Sequence, residues 1–257
     1  MSSRLKNKVA IITGAAKGQG EFEARLFASE GATVVLCDID VETCGKTAEE
    51  ISSSGGSAVS MTLDVTSEPN WIGVIEQTVE FFGKLDILVN NAGRGDSMPF
   101  VDVDREYFNA YVGLNLWAPL RLWQHAYEYL AKSSDPSVVM IGSVDAERPS
   151  PGSVVYGATK GALSAATVAL SKEWMAAGIR VNQVNPGLVD TQLTSQIVRS
   201  LKESGESINI AGRVGSPDEI AGLVHYLVAP VGRFANGTSF RIDGGALALG
   251  PFDRWQQ

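Results

Sequence analysis

Val9-Ala10-Ile11-Ile12-Thr13-Gly14-Ala15-Ala16-Lys17-Gly18-Gln19-Gly20, running on into Glu21 to Ser29, reads as a buried strand, a tight turn and an amphipathic helix in direct succession. Gly14, Gly18 and Gly20 are spaced G-x-x-x-G-x-G, and Lys17 and Gln19 lie between them. Glycines at these positions permit a sharp turn and let backbone N–H groups approach a pyrophosphate at the helix N-terminus. A glycine turn alone says little. The strand before it and the helix after it make a dinucleotide cradle the expectation.

Outward from that unit the pattern repeats. Apolar runs of strand length occur at Val9 to Ile12, Thr33 to Cys37, Val59 to Leu63, Ile87 to Val89, Val138 to Ile141, Ile179 to Val184 and Thr238 to Ile242, with helix-length segments between them. Near-continuous Val, Ile and Leu in each run implies strands covered on both faces. The fold expected is therefore α/β, a doubly wound (Rossmann) three-layer sandwich with a mainly seven-stranded parallel sheet and ligands at the strand C-terminal ends. At 257 residues and 44% hydrophobic, residues 1–257 read as a single dinucleotide-binding and catalytic domain.

The second strand ends at Asp38, 24 residues beyond Gly14. A carboxylate there can accept from both adenosine ribose hydroxyls, and it repels a 2′-phosphate by roughly 4 kcal/mol per unit charge at ~4 Å and a dielectric of ~20. Ile39 brings no arginine to offset that repulsion. Lys17 is the counter-argument, a cation in the turn within reach of a 2′-phosphate. The cofactor expected is NAD, with NADP second. Asp64-Val65 after the third strand could flank an adenine, or Asp64 could cap a helix starting at Thr66. Asn90-Asn91-Ala92-Gly93 after the fourth strand suits a buried turn against a cofactor.

Chemistry centres on Tyr156-Gly157-Ala158-Thr159-Lys160, with Ser143 upstream. Tyrosine and lysine four apart project from one helix face, so an ammonium can stand beside a phenol. Using a phenol with a pKa near 10 at pH 7 means stabilising the phenolate by roughly 4 kcal/mol, and a nearby cation has the right sign. Phe108 to Lys132 reads as one long aromatic helix interrupted by Asn115 and Pro119. Proline cannot donate to the carbonyl four residues back, which is that of Asn115. Val154 to Ala177 reads as the helix bearing Tyr156 and Lys160. Beyond Pro186-Gly187, a weakly periodic segment over about residues 188–213 is expected to be a substrate lid. Ser216, Pro217 and Glu219 form a helix capping box. Gly250 to Gln257 is an aromatic-bearing tail.

With 21 basic and 29 acidic residues the net charge is −8, which disfavours nucleic acid and anionic membranes as partners. No apolar run approaches ~18 residues, so no membrane span is expected and the chain reads as cytoplasmic. Cys37 and Cys44 are too few for a disulfide framework. His125 and His225 fall inside helices, and no cluster has metal-ligand spacing.

Taken in order, Thr13 to Gly20, Asp38, Asp64, Asn90 to Gly93, Asn115, Ser143, Tyr156 with Lys160, Pro186-Gly187 and Asp243-Gly244-Gly245 make the chain resemble the short-chain dehydrogenase/reductase family over essentially residues 5 to 247. Gln19 departs from it, standing where the family has an aliphatic residue. The resemblance implies Tyr156 as acid/base, Ser143 orienting the substrate oxygen, Lys160 holding the nicotinamide ribose, Asn115 maintaining a water-linked proton path, and Val189 and Thr191 contacting the carboxamide. It also implies a homotetramer. The function expected is NAD-dependent interconversion of a secondary alcohol and a ketone, the small-molecule substrate being apolar or cyclic. The alternatives are an NADPH-dependent 3-oxoacyl thioester reductase and a non-catalytic dinucleotide-binding regulator.

Overall fold

The computed structural model describes residues 3–205 and 208–248. The tail from Gly250 to Gln257 lies outside the described residues, as do residues 206 and 207 of the expected lid. In chain order the elements are β1 (Val9–Thr13), α1 (Gly18–Ser29), β2 (Thr33–Asp38), α2 (Val41–Ser53), β3 (Ser57–Thr62), α3 (Glu68–Phe82), β4 (Ile87–Asn90), α4 (Arg105–Val112), α5 (Ala118–Leu130), β5 (Ser137–Ile141), α6 (Val154–Glu173), β6 (Arg180–Pro186), α7 (Ser195–Ser204), α8 (Pro217–Val228) and β7 (Ser239–Ile242). The strands form one seven-stranded sheet in the order β3-β2-β1-β4-β5-β6-β7, and every pairing is parallel.

The central strands β1, β2, β4, β5 and β6 are buried on both faces, whereas the edge strands β3 and β7 are half-buried. Ala10, Ile12, Val34, Leu36, Val89 and Ile141 point to one core beneath α1, α2 and α8. Their alternates Ile11, Val35, Cys37, Leu88, Val138 and Met140 point to the other, beneath α3, α5 and α6. Chain order reverses between β1 and β4, so their C-terminal ends open a crevice. Thr13 and Asn91 stitch its floor: the Thr13 hydroxyl accepts from the Asn91 and Ala92 N–H groups at 3.1 Å, and Asn91 Nδ2 donates to the carbonyls of Thr13 at 3.1 Å and Gly14 at 2.9 Å.

Several helices differ from their sequence reading. The long helix over Phe108 to Lys132 is α4 and α5 joined by a π-wound turn over Gly113–Trp117, where Ala118 N–H donates to the Gly113 carbonyl. Pro119 lies directly after that turn, so the wider winding falls where proline denies the Asn115 carbonyl its ordinary donor. α6 ends at Glu173, earlier than Ala177. α3 starts at Glu68 behind Ser67, so Asp64 caps no helix from Thr66; its carboxylate accepts from Thr66 N–H at 2.8 Å and closes a local turn. The expected lid contains α7, whose buried residue is Val198. Ser216 and Glu219 do close a capping box on α8.

Candidate active site

The tight glycine turn between β1 and α1 forms as the spacing suggests. Gly14 and Gly18 have φ of 65° and 62°, values that side-chain-bearing residues rarely adopt. A Cβ on Gly14 would sit 2.8 Å from the Ala92 Cα, so only glycine lets the β1 turn lie against the β4 turn. α1 begins at Gly18 and its N-cap, Lys17, makes no side-chain capping bond. A phosphate group fits the donor set that such a helix N-terminus presents.

Asp38 ends β2 half-buried. One carboxylate oxygen accepts from Ala16 N–H at 3.2 Å and the other from Asp40 N–H at 3.0 Å, so the side chain braces the glycine turn while keeping acceptor capacity. Ile39 beside it is 73% exposed. Lys17 pairs with Asp40, Nζ to Oδ2 at 3.1 Å. Asp64 and Val65 are both part-exposed at the end of β3. Val65 lines a small cavity with Thr13, Asn90, Ala92, Leu114, Ala118, Pro119 and Leu122, and within the described residues Asn90 Nδ2 is buried without a partner.

On the other side of the crevice α6 presents Tyr156 and Lys160. Gly157 lets this helix press close: a Cβ there would meet the Asp145 carbonyl at 2.9 Å, and the contact draws the segment after β5 to Tyr156. Ser143 N-caps the short turn after β5, its hydroxyl accepting from Asp145 N–H at 3.1 Å. Burial pushes the Tyr156 phenol above its ordinary pKa, its hydrogen bond with Ser143 opposes the rise, and the Asp145 charge adds to it. Lys160 is buried with Nζ donating to the Ile141 carbonyl at 2.8 Å and lying 5.7 Å from the Tyr156 ring centroid. Burial pushes its ammonium down to about 8. The expected phenolate-favouring cation is thus near the phenol, but its bonded partner is a backbone carbonyl.

Asn115, on the π-wound turn, is buried, and its side chain is tied to the chain after β4. Its Oδ1 accepts from Arg94 N–H at 3.0 Å and its Nδ2 donates to the Arg94 carbonyl at 2.9 Å. A Cβ on Gly93 would lie 3.0 Å from Asn115 Oδ1 and 3.7 Å from Lys160 Nζ, so Gly93, Asn115 and Lys160 meet. Pro186 and Gly187 end β6 against Asp243. Val189 bridges to Gly215, and its carbonyl accepts from the Thr194 hydroxyl. Thr191 N–H donates to that same hydroxyl at 3.1 Å, and the Thr191 methyl would lie 3.4 Å from a Cβ on Gly18. The segment after β6 therefore folds over the glycine turn.

Glu23, unlike Gln19, escaped the sequence reading. Gln19 Oε1 and both carboxyl oxygens of Glu23, one turn apart on α1, are buried without partners among the described residues. Burial raises the Glu23 pKa well above its ordinary value. A charged residue at an apolar position of an amphipathic helix was the available signal. No group of three or more His, Cys, Asp or Glu among the described residues could hold a metal ion. No described helix is long and apolar enough to cross a membrane.

The chain has relatives among known proteins over nearly its whole length. The family model described as Enoyl-(Acyl carrier protein) reductase matches residues 14–246. The 3-oxoacyl-[acyl-carrier-protein] reductase FabG of Thermotoga maritima is 34% identical over 244 residues, covering 95% of this chain and 99% of the relative. Cyclopentanol dehydrogenase of Comamonas sp. is 32% identical over 247 residues, covering 95% and 99%. Among solved structures, a short-chain dehydrogenase from Burkholderia cenocepacia in complex with NADP superposes with a TM-score of 0.87 at 32% identity, covering 95% and 99%.

Proposed function

The chain belongs to the short-chain dehydrogenase/reductase family, whose members bind a nicotinamide dinucleotide, and on that premise we propose that it is an NAD(H)-dependent oxidoreductase interconverting a secondary alcohol and a ketone. The observation that carries the chemistry is the Ser143 hydroxyl bonded to the Tyr156 phenol at the C-terminal edge of the sheet, with Lys160 buried one turn along the same helix.

Tyr156 holds the proton at its phenol oxygen and passes it to, or takes it from, the substrate oxygen. Ser143 orients and polarises that oxygen. Lys160 and Asn115 stand behind the phenol, where Asn115 with its carbonyl denied the Pro119 donor offers an acceptor for a relay water. Hydride chemistry is supplied by the nicotinamide when the dinucleotide is bound. The Gly14 to Gly20 turn and the α1 N-terminus would hold the pyrophosphate, Asp38 the adenosine ribose, Asp64 and Val65 the adenine, and Pro186, Gly187, Val189 and Thr191 the nicotinamide side.

Preference for NAD rests on Asp38 standing at the ribose position while Lys17 is drawn off by Asp40. A cyclic or apolar substrate is supported by the relative named for cyclopentanol and by exposed Leu193, Ile197 and Ile210 in the segment after β6. The reductase relative and the NADP-bound neighbour favour a second reading, an NADPH-dependent 3-oxoacyl thioester reductase. Initial rates with both dinucleotides decide, using cyclopentanol, cyclohexanol, aryl and steroid alcohols, and a 3-oxoacyl thioester. We expect NAD with a cyclic alcohol to exceed NADP by about tenfold or more in kcat/KM, a difference of about 1.4 kcal/mol. NADPH-driven thioester reduction as the dominant activity overturns the NAD reading.

We further propose a cytoplasmic homotetramer. Phe108, Trp117 and Tyr127 along α4 to α5, and Val154 and Val168 on α6, are exposed apolar side chains that subunit contacts would cover. Light scattering that gives a monomer at micromolar concentration rejects the tetramer.

A further inference from the structure

The chain leaving β4 runs beside Tyr156 and is gripped there from one helical face. A Cβ on Gly95 would lie 3.3 Å from the Tyr156 ring carbon that bears the hydroxyl and 3.6 Å from the hydroxyl itself. The backbone of Gly95 therefore lies against the reacting end of the phenol, close enough that a side chain there would press on the ring. The residues on either side of it are each held by one polar side chain. Asn115 takes both backbone groups of Arg94, as described above. The Tyr111 hydroxyl takes those of Asp96: it accepts from Asp96 N–H at 2.7 Å and lies 3.1 Å from the Asp96 carbonyl, with the Asp96 carboxylate also in contact.

Tyr111 and Asn115 are four apart on the continuous helical stretch through α4 and the π-wound turn, so their side chains leave one face about one turn from each other. The two backbone positions they hold are likewise close in the chain, two residues apart in the loop after β4. Tyr111 is fully buried, and its ring is itself pinned, packed at a tilt of 34° against Tyr107 with centroids 4.7 Å apart and with the Arg94 guanidinium 4.5 Å from its centroid. Arg94 in turn is locked in a two-pronged ion pair with Asp96.

We infer that Tyr111 is a positioning residue for the reaction, the second jaw of a clamp with Asn115 that holds the Gly95 backbone against Tyr156 and so fixes the phenol hydroxyl and keeps solvent from that edge of its ring. This rests on the reading of Tyr156 as the acid/base, but the wall itself is testable without turnover. The groups facing the phenol are Ser143 and Asp145 from the segment after β5, Lys160 from its own helix, and the Gly95 backbone, with Arg94 and Asp96 beyond it.

The test is a spectroscopic titration of Tyr156 by tyrosinate absorbance, taken as the difference between the parent and Tyr156→Phe, and repeated in a Tyr111→Phe background. Tyr111→Phe keeps the ring and removes only the hydroxyl. Loosening the wall admits water, so burial no longer raises the phenol and its ionisation constant should increase about tenfold, one pH unit at the midpoint. Gly95→Ala is the companion. In the parent its methyl presses on the phenol from a fixed wall, 3.3 Å from the nearest ring carbon, and in Tyr111→Phe the wall can yield, so the two effects on the midpoint must be non-additive. An unchanged midpoint in Tyr111→Phe, or additive effects in the double variant, overturns the clamp. Should Tyr111→Phe not fold, Gly95→Ala at its exposed position decides alone, a Tyr156 midpoint equal to the parent's being the refuting result. Normal turnover by Tyr156→Phe, by contrast, would refute the acid/base reading and leave the titration to be judged separately.

Discussion

The β1-α1-β2 cradle and the wall formed by residues 94–96, 143–145 and 188–194 meet across the crevice at Gly18 and Thr191, yet they are built by opposite means. The cradle is backbone: glycines in left-handed conformations, an uncapped helix start, and one carboxylate braced on two N–H groups. The wall is side chains reaching from separate elements to grip loops: Asn115 and Tyr111 on residues 94 and 96, Gly157 admitting Asp145, and Thr194 tying Val189 and Thr191. A contiguous backbone device tolerates little change of sequence but needs few partners. A surface assembled from distant side chains can be re-cut residue by residue, which is how one fold can take different substrates.

Substitutions on each side of the crevice test that contrast, and the largest effect is expected on the wall side. Tyr156→Phe should lower kcat by about 10²-fold or more, the usual worth of a positioned acid/base, while the NAD dissociation constant stays at the parent value. Equal turnover in the purified variant would remove Tyr156 from the reaction.

Lys160→Met comes next, with opposite signs for activity and stability. Burial holds the folded ammonium at about 8 against the ordinary 10.5. Between those pH values the unfolded chain keeps a proton that the folded chain has released, so stability from this group rises with pH across that window. Below it the buried charge costs up to about 3 kcal/mol. The methionine variant should therefore be more resistant to urea than the parent at pH 7, with the gap closing as pH rises from 8 towards 10, while its kcat falls by less than that of Tyr156→Phe. Lower stability at pH 7 would mean that the bond to the Ile141 carbonyl outweighs burial.

On the cradle side, Asp38→Ala should weaken NAD about 10-fold, since hydrogen bonds to a charged acceptor are worth about 1.5 to 3 kcal/mol, and should narrow the gap to NADP as the repulsion disappears. Titration calorimetry with both dinucleotides reads this directly. A parent protein that already prefers NADP would transfer the decision to Lys17, released from Asp40.

The smallest effect is expected at the hinge between α4 and α5. Pro119→Ala restores an N–H that can bond the Asn115 carbonyl, so a fall in kcat of roughly threefold, under 1 kcal/mol, should appear with unchanged NAD affinity. Full activity with a regular helix there would show that the relay does not use that carbonyl.

The sequence alone determined the parallel sheet and the nucleotide cradle, because both are local or periodic properties. Seven apolar runs can bury two faces in only one layered way, and a glycine turn between strand and helix carries its own geometry. Ser143, Tyr156 and Lys160 were legible through their residue types and the one-turn spacing on α6. Tertiary structure decided what those groups touch. Lys160 found the Ile141 carbonyl, Lys17 found Asp40, and the helix through Asn115 widened into a π turn. Tyr111 carried no signal beyond lying one turn before Asn115, since an aromatic on an amphipathic helix reads as core until the loop it grips is in place. Contacts between segments far apart in the chain depend on where the sheet brings each loop, and that placement is fixed by packing over the whole molecule rather than by any local run of residues.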